Sequence, residues 1–281
     1  MDNNEYAENK EQYFLNVNKS LETLTNYHCP IYAPDKRRNP IAIGSGVLID
    51  IYGHKFLVSA GHVFDYTETH RVGIKSKNKL VNITGDIIDP KFYKNRAEDK
   101  IDLALLELND DMKAALSDLN YLTIDDIDYS HVSDKEHVNY TFVGFPATKN
   151  KLRYNSNRVK SGILAYSANK VDDGIYEKLG ILPSTHIAVK FRKNKLAFTS
   201  GVGNAPDLYA MSGGGIWLND NFHLHPSVYM PKIKLVGIAL SWHKRYGCIM
   251  GVSTGAIIEI LKASCDIPEL FAHKTNMIPI T

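Results

Sequence analysis

Residues 209–217 read YAMSGGGIW, so that Ser212 lies at a glycine-rich bend and an apolar, strand-like run follows it at once. Glycines after the serine allow backbone conformations closed to other residues and let a ligand approach the chain closely. A serine hydroxyl is a weak nucleophile unless a neighbouring base activates it. The stretch therefore predicts a catalytic loop on the condition that a histidine and a carboxylate lie elsewhere in the chain.

The composition limits the possible classes of protein. A chain of 281 residues with 44% hydrophobic residues fits two all-β barrels side by side. The net charge of +2 does not indicate binding to nucleic acid or to an anionic membrane surface. Apolar runs are shorter than the roughly 20 residues of a membrane span, and the polar N-terminus is not a secretory signal, so we expect a cytoplasmic protein. Cys29, Cys248 and Cys265 are expected to be free thiols.

Short apolar runs separated by turn residues predict two sets of antiparallel strands. We expect an N-terminal helical extension (1–28), a first β-barrel (29–124), a linker (125–136), a second β-barrel (137–254), and a C-terminal helix and tail (255–281). A helix packed on the outside of a domain and a regulatory segment are the two readings of the extension. Because prolines interrupt residues 31–40, we expect a loop or a ragged edge strand there. His186, Lys190 and Arg192 should share a solvated strand face.

Two residues are candidates for activating Ser212. His62 follows a buried strand at the Gly61 turn, where its ring should project from a rigid edge. Asp102 begins the apolar run 101–108, and an unpaired carboxylate in so apolar a strand would be costly. Asp102 should therefore have a polar partner.

Three short segments carry a family resemblance: SAGH at 59–62, DLALL at 102–106 and MSGG at 211–214. They resemble the histidine, aspartate and serine segments of the trypsin/chymotrypsin-like serine peptidases, in that family's order, over residues 41–262. The resemblance implies two six-stranded-type antiparallel β-barrels and an endopeptidase acting on polypeptides. It implies that Ser212 is the nucleophile, His62 the base and Asp102 the group that orients it. The oxyanion hole would be the backbone N–H groups of Ala210 and Ser212.

Departures from the family pattern concern activation and specificity. Ala210 stands where active members usually carry glycine, and a side chain disfavours the backbone conformation that points this N–H into the hole. Met211 replaces the aspartate that receives a newly cut N-terminus in the digestive enzymes. A bacterial-type member, folded ready or switched by a regulatory protein, fits better. The substrate pocket should involve residues 204–209, and among them Pro206 and Asp207, with a wall of Leu240, Ser241 and Trp242.

Alternatives to an active peptidase are of two kinds. A trypsin-like pseudoprotease, or a latent protease activated by a partner, would serve as a binding or sensing module. Residues 251–255 (GVSTG) match the nucleophile elbow of α/β-hydrolases, but only Asp266 and His273 follow, in a short tail. His223 and His225 lack the carboxylate or cysteine of a metal site, so no metal or organic cofactor is expected.

Overall fold

The computed structural model describes residues 15, 23–76, 79–91, 95–133, 138–153, 158–160, 162–194, 196–198, 201–219 and 233–277. These residues form a mostly β structure of two curled antiparallel sheets, each a half-barrel, as the sequence predicted. None of their helices is long and apolar enough to cross a membrane.

The first sheet contains nine strands in the order β5-β4-β1-β2-β3-β7-β6, with β9 pairing β2 and β10 pairing β9. Its strands are β1 (His28–Pro34), β2 (Pro40–Ile51), β3 (His54–Ala60), β4 (Gly73–Ser76), β5 (Lys79–Asn82), β6 (Gly85–Ile88), β7 (Leu103–Leu108), β9 (Lys151–Arg153) and β10 (Arg158–Lys160).

The second sheet contains six strands in the order β11-β8-β15-β16-β17-β12, and β13 pairs with β14 separately. These strands are β8 (Asn139–Gly144), β11 (Leu164–Asn169), β12 (His186–Lys190), β13 (Leu196–Phe198), β14 (Gly201–Gly203), β15 (Gly215–Asn219), β16 (Ile233–His243) and β17 (Cys248–Ser253).

Four α-helices lie among the described residues: α1 (Gly61–Phe64), α2 (Asp110–Ala115), α3 (Asp173–Leu179) and α4 (Gly255–Ser264). Short 3-10 turns span Thr25–Tyr27, Asp65–Glu68, Arg96–Glu98, Ile124–Asp126, Ala147–Lys149, Lys244–Tyr246 and Pro268–Ala272. Helix α4 confirms the predicted C-terminal helix, and it is apolar because nearly all of it is buried. Most of the predicted N-terminal helix lies outside the described residues.

Two local predictions were wrong. Residues 28–34 form β1, a strand paired with β2 on one side and β4 on the other, so residues 31–34 of the segment 31–40 are not the expected loop or ragged edge strand. Residues 35–39 of that segment do form a loop. Prolines are tolerated because Pro30 and Pro34 lie near a register shift and at the strand end. His186 is buried, and its Nε2 lies 2.9 Å from the carbonyl oxygen of Lys100, so it does not belong to a solvated face.

Ser45 of β2 joins the two sheets at the loop that carries Ser212. Its backbone N–H donates to the carbonyl of Ser212 (2.8 Å), and its hydroxyl donates to the carbonyl of Ala210 (2.9 Å). The same hydroxyl accepts the N–H of Phe145 (2.9 Å), and the carbonyl of Ser45 accepts the hydroxyl of Ser59 (2.7 Å). Ser45 is fully buried, so each of these bonds is protected from water. The serine loop is thus held by both sheets.

Candidate functional site

His62 and Asp102 form a hydrogen-bonded pair at the edge of the first sheet. His62 lies in α1, directly after β3, and Asp102 lies directly before β7, which pairs with β3. The His62 Nδ1 atom is 2.6 Å from Asp102 Oδ2, and the backbone N–H of His62 donates to Asp102 Oδ1 (3.0 Å). The predicted polar partner of Asp102 is therefore His62. Because the carboxylate binds Nδ1, the Nε2 atom is the one left to act on a neighbouring group.

The backbone of Asp102 is strained, with φ at +32°. Its carbonyl accepts the N–H of Gly61 (2.7 Å), and its side chain is bound to His62, so contacts on both sides fix the residue. A non-glycine residue in such a conformation costs roughly 1–3 kcal/mol and persists only where the surroundings enforce it. The strain places the carboxylate beneath the imidazole.

Ser212 lies in the loop between Leu208 and β15, and its side chain is partly exposed. Its hydroxyl donates to the carbonyl of Leu240 in β16 (2.8 Å), and within the described part of the chain no hydrogen bond joins it to His62. Leu240 and Ser241 line both the cavity beside Ser212 and the larger cavity of about 660 Å³ that holds His62 and Asp102. The three predicted residues thus border adjoining cavities. A hydroxyl group rotates freely about its C–O bond, so the bond to Leu240 does not fix the direction of the Ser212 hydroxyl proton.

A tight turn precedes Ser212. The N–H of Met211 donates to the carbonyl of Leu208 (3.0 Å), and Ala210, the third residue of this turn, has φ at +70°. A positive φ at the third position defines a type II turn, which ordinarily requires glycine there. Ala210 therefore adopts the conformation that its side chain disfavours.

The direction of the Ala210 N–H follows from the same turn. The carbonyl of Tyr209 accepts the N–H of Ala147 (2.9 Å), and in a trans peptide the N–H points opposite to the C=O. The N–H of Ala210 therefore points away from Ala147. Neither this N–H nor that of Ser212 has an acceptor among the residues that the structure describes. Two free N–H donors, two residues apart on one turn, can donate hydrogen bonds to an oxyanion.

The cavity beside Ser212 is narrow and apolar. Its volume of about 20 Å³ gives room for about one water molecule. The predicted wall residues Leu240, Ser241 and Trp242 line it, as does Leu208 from the predicted segment 204–209. The remaining lining residues were not predicted for the pocket: Phe142, Met211, Ala239 and Ile249.

Pro206 and Asp207, also predicted for the pocket, are not among the lining residues of this cavity. The Asp207 Oδ1 atom instead accepts the N–H of Tyr209 (3.2 Å), and its Oδ2 lies 3.9 Å from Lys193 Nζ. Its side chain is 60% exposed. The acid therefore caps the turn at the surface.

Other candidates from the sequence lie apart from this site. Ser253 is buried at the end of β17, and its hydroxyl accepts the N–H of Gly255, so the GVSTG match is a helix start. His273 bonds to Tyr52 and Tyr129. All three cysteines are free, and burial raises the pKa of Cys29 to about 12 and that of Cys248 to about 11. His223 and His225 lie outside the described residues, and within those residues no cluster of three metal-ligating side chains occurs.

Sequence reasoning missed Ser45, Ala147 and Arg96, which support the site from outside the three motifs. Ser45 lies between Gly44 and Gly46, and this glycine pair was the one available signal of a close backbone approach. Ala147 acts through a backbone N–H whose partner, Tyr209, is distant in sequence and leaves no local pattern. Arg96 contacts nearby carboxylates as well as the more distant Asp65, but nothing in their spacing marks them as part of the site.

Comparison with known proteins adds little. Neither a protein-family profile nor a curated protein sequence matches the chain. The chain is similar to a solved structure from a study of the intrinsically disordered Sesbania mosaic virus VPg protein. In that study, aromatic interactions drive the coupled folding and binding of VPg. The similarity covers 83% of this chain and 95% of the other, with 14% sequence identity and a TM-score of 0.44. A functional conclusion for this chain must therefore come from its own residues.

Proposed function

We propose that the protein is a serine endopeptidase of the trypsin/chymotrypsin-like, bacterial type. The observation that carries the proposal is the His62–Asp102 pair, with Nδ1 2.6 Å from Oδ2, bordering the same Leu240–Ser241 wall as Ser212. A histidine whose tautomer is fixed by a carboxylate is the base that a nucleophilic serine requires. The three free cysteines are in keeping with the reducing cytoplasm that we propose as its location.

The chemistry follows the positions of these groups. The Ser212 hydroxyl leaves the Leu240 carbonyl, gives its proton to His62 Nε2 and forms a bond from Oγ to the scissile carbonyl carbon. The oxygen of that carbonyl becomes negatively charged and accepts the N–H groups of Ala210 and Ser212, each donor contributing about 10²–10³ in kcat. His62 then protonates the leaving amine as the C–N bond breaks, which leaves an acyl-enzyme. A water molecule, deprotonated by His62, releases the acid and restores Ser212.

The cavity beside Ser212 supports a preference for a small apolar side chain before the scissile bond. Phe142, Leu208 and Ile249 offer no charge to bind lysine or arginine, and about 20 Å³ does not hold an aromatic ring. Asp207, at the surface, does not supply that charge. We therefore expect alanine to be preferred over arginine and phenylalanine in a library of otherwise identical peptides.

A latent or non-catalytic protein is the second candidate, because the Ser212 hydroxyl is bonded to Leu240 and Ala210 is strained. Such a protein would keep the fold and use the cleft to bind a partner. In a latent protein a regulatory protein would complete the catalytic site, and in a non-catalytic protein no partner would do so.

Labelling with a fluorophosphonate probe tests the first candidate. The wild type should be labelled and Ser212→Ala should not. Ser253→Ala, which removes the other serine in a motif-like context, should be labelled as the wild type is. Persistent labelling of folded Ser212→Ala would refute the proposed nucleophile, and absence of labelling in every variant would favour the second candidate.

A further inference from the structure

Arg96 is held in one orientation beside the site by two carboxylates. Its Nε and Nη2 atoms donate to the two carboxylate oxygens of Asp65 (3.1 and 2.8 Å). Its Nη1 donates to Asp89 Oδ1 (3.2 Å), and Nη2 also donates to Asp89 Oδ2. The arginine side chain is 19% exposed. Paired, charge-assisted bonds of this kind fix both the position and the plane of a guanidinium group.

The same guanidinium reaches the carboxylate that binds His62. Arg96 Nε lies 3.6 Å from Asp102 Oδ1, the oxygen that also accepts the N–H of His62. Gly61 makes this approach possible, because a Cβ atom there would lie 2.4 Å from Arg96 Nη1 and 3.0 Å from Asp102 Oδ1. The glycine before the histidine thus leaves space for a cation beneath it.

We propose that Arg96 is a positioning residue for the His62–Asp102 pair; the proposal rests on the proposed peptidase function and deepens it. The cation attracts Asp102 Oδ1, which the backbone N–H of His62 binds, and so supports the carboxylate orientation in which Oδ2 faces His62 Nδ1. It also offsets part of the negative charge that favours protonated His62.

The charges around His62 determine the sign of this effect. The cavity that contains His62 and Asp102 is also lined by Arg96, Glu98, Asp99, Lys100 and His243. Asp65 and Asp89 also bind the guanidinium, and Asp99 Oδ2 is 3.9 Å from Arg96 Nη1. Lys100 Nζ donates to the carbonyl of Gly180. Arg96 thus contacts four carboxylates directly, and without it less of their charge would be offset near His62.

The test is an NMR titration of the His62 imidazole in a Ser212→Ala background, with the resonance assigned by its loss in His62→Asn. Arg96→Gln should move the midpoint up by about one pH unit, since a unit charge near an ionisable group shifts its titration by about that much or more. Arg96→Lys should keep it within about 0.3 units of the parent because the charge remains. Arg37→Gln, in an exposed turn, is the matched control and should leave the midpoint unchanged.

A midpoint that stays within about 0.3 units in folded Arg96→Gln, or that falls, would overturn the proposal. If Arg96→Gln does not fold, Asp89→Asn decides: freeing the guanidinium from one carboxylate should lower the midpoint, and a rise would overturn the proposal. The titration does not depend on turnover. Failure of Ser212 to react with the fluorophosphonate would therefore favour the latent or non-catalytic protein and leave the role of Arg96 measurable.

Discussion

Replacing Ala210 by glycine should favour the turn that forms the proposed oxyanion hole. Ala210 has φ at +70°, and a left-handed conformation costs a non-glycine residue roughly 1–2 kcal/mol. Glycine removes this cost. The alternative turn, with the Tyr209–Ala210 peptide rotated, suits alanine and would point the Ala210 N–H out of the hole.

The gain is reduced by lost packing. The Ala210 methyl is buried against Tyr32 and Ala42, and its removal forfeits about 0.8 kcal/mol. The net effect on the free energy of unfolding should therefore lie between roughly 0 and 1 kcal/mol in favour of Ala210→Gly. The methyl group is lost equally from the observed turn and from the rotated turn, so its loss does not change the equilibrium between them. The full relief of strain should therefore favour the observed turn. A relief of about 1 kcal/mol corresponds to a change of about fivefold in the ratio of the observed turn to the rotated turn.

The assay is the second-order rate of fluorophosphonate labelling, together with the thermal midpoint. We expect up to about fivefold faster labelling of Ala210→Gly and a midpoint equal to or slightly above that of the wild type. Ala205→Gly is the matched control, since Ala205 is buried on the same loop without a positive φ and should only lose stability. Slower labelling of Ala210→Gly, with a loss of stability equal to that of Ala205→Gly, would refute the reasoning.

Three further outcomes follow from single contacts. Burial lowers the pKa of His28 from 6.5 to about 4, so the unfolded chain binds a proton more readily than the folded protein does. The free energy of unfolding should therefore fall by about 3 kcal/mol as the pH drops from 6.5 to 4. Urea titrations at several pH values would measure this fall. Gly213→Ala should destabilise the protein by roughly 3 kcal/mol or more, because φ is +86° and a Cβ would lie 2.0 Å from the Ser45 carbonyl, whereas Gly174→Ala, with open space in α3, should not. Trp242→Ala should widen the cavity beside Ser212 and admit phenylalanine before the scissile bond, which a peptide library would detect.

The strands were the part of the fold that the sequence predicted best. The hairpin of β2 and β3 follows directly from two apolar runs around Tyr52 and Gly53. Residues 28–34 were missed because a local rule for proline could not foresee neighbouring strands on both sides. His186 was misplaced for a similar reason, since strand alternation does not show which face another segment covers.

The site was predictable in its motifs and not in its supports. A polar partner for Asp102 could be anticipated because a carboxylate in an apolar strand needs one, whereas His62 as that partner was implied by the family resemblance. The lining of the cavity beside Ser212 comes from four separate segments, so no single spacing in the sequence encodes it. Asp207 lies at the surface because the backbone N–H of Tyr209 binds its carboxylate oxygen. The distance of Asp207 from Ser212 along the sequence does not reveal this contact.

Backbone strain identifies the site independently of the motifs. Among the described residues five that are not glycine have positive φ: Arg38, Tyr52, Lys91, Asp102 and Ala210. The first three are exposed, where a turn can relax, whereas Asp102 and Ala210 are buried and held by contacts on both sides. Strain kept in buried positions persists only where the surrounding structure enforces it, and such positions concentrate at functional sites. Asp102 binds the imidazole of His62, and Ala210 carries a free N–H beside Ser212. The strain therefore falls on the carboxylate and the N–H group whose directions the proposed reaction depends on.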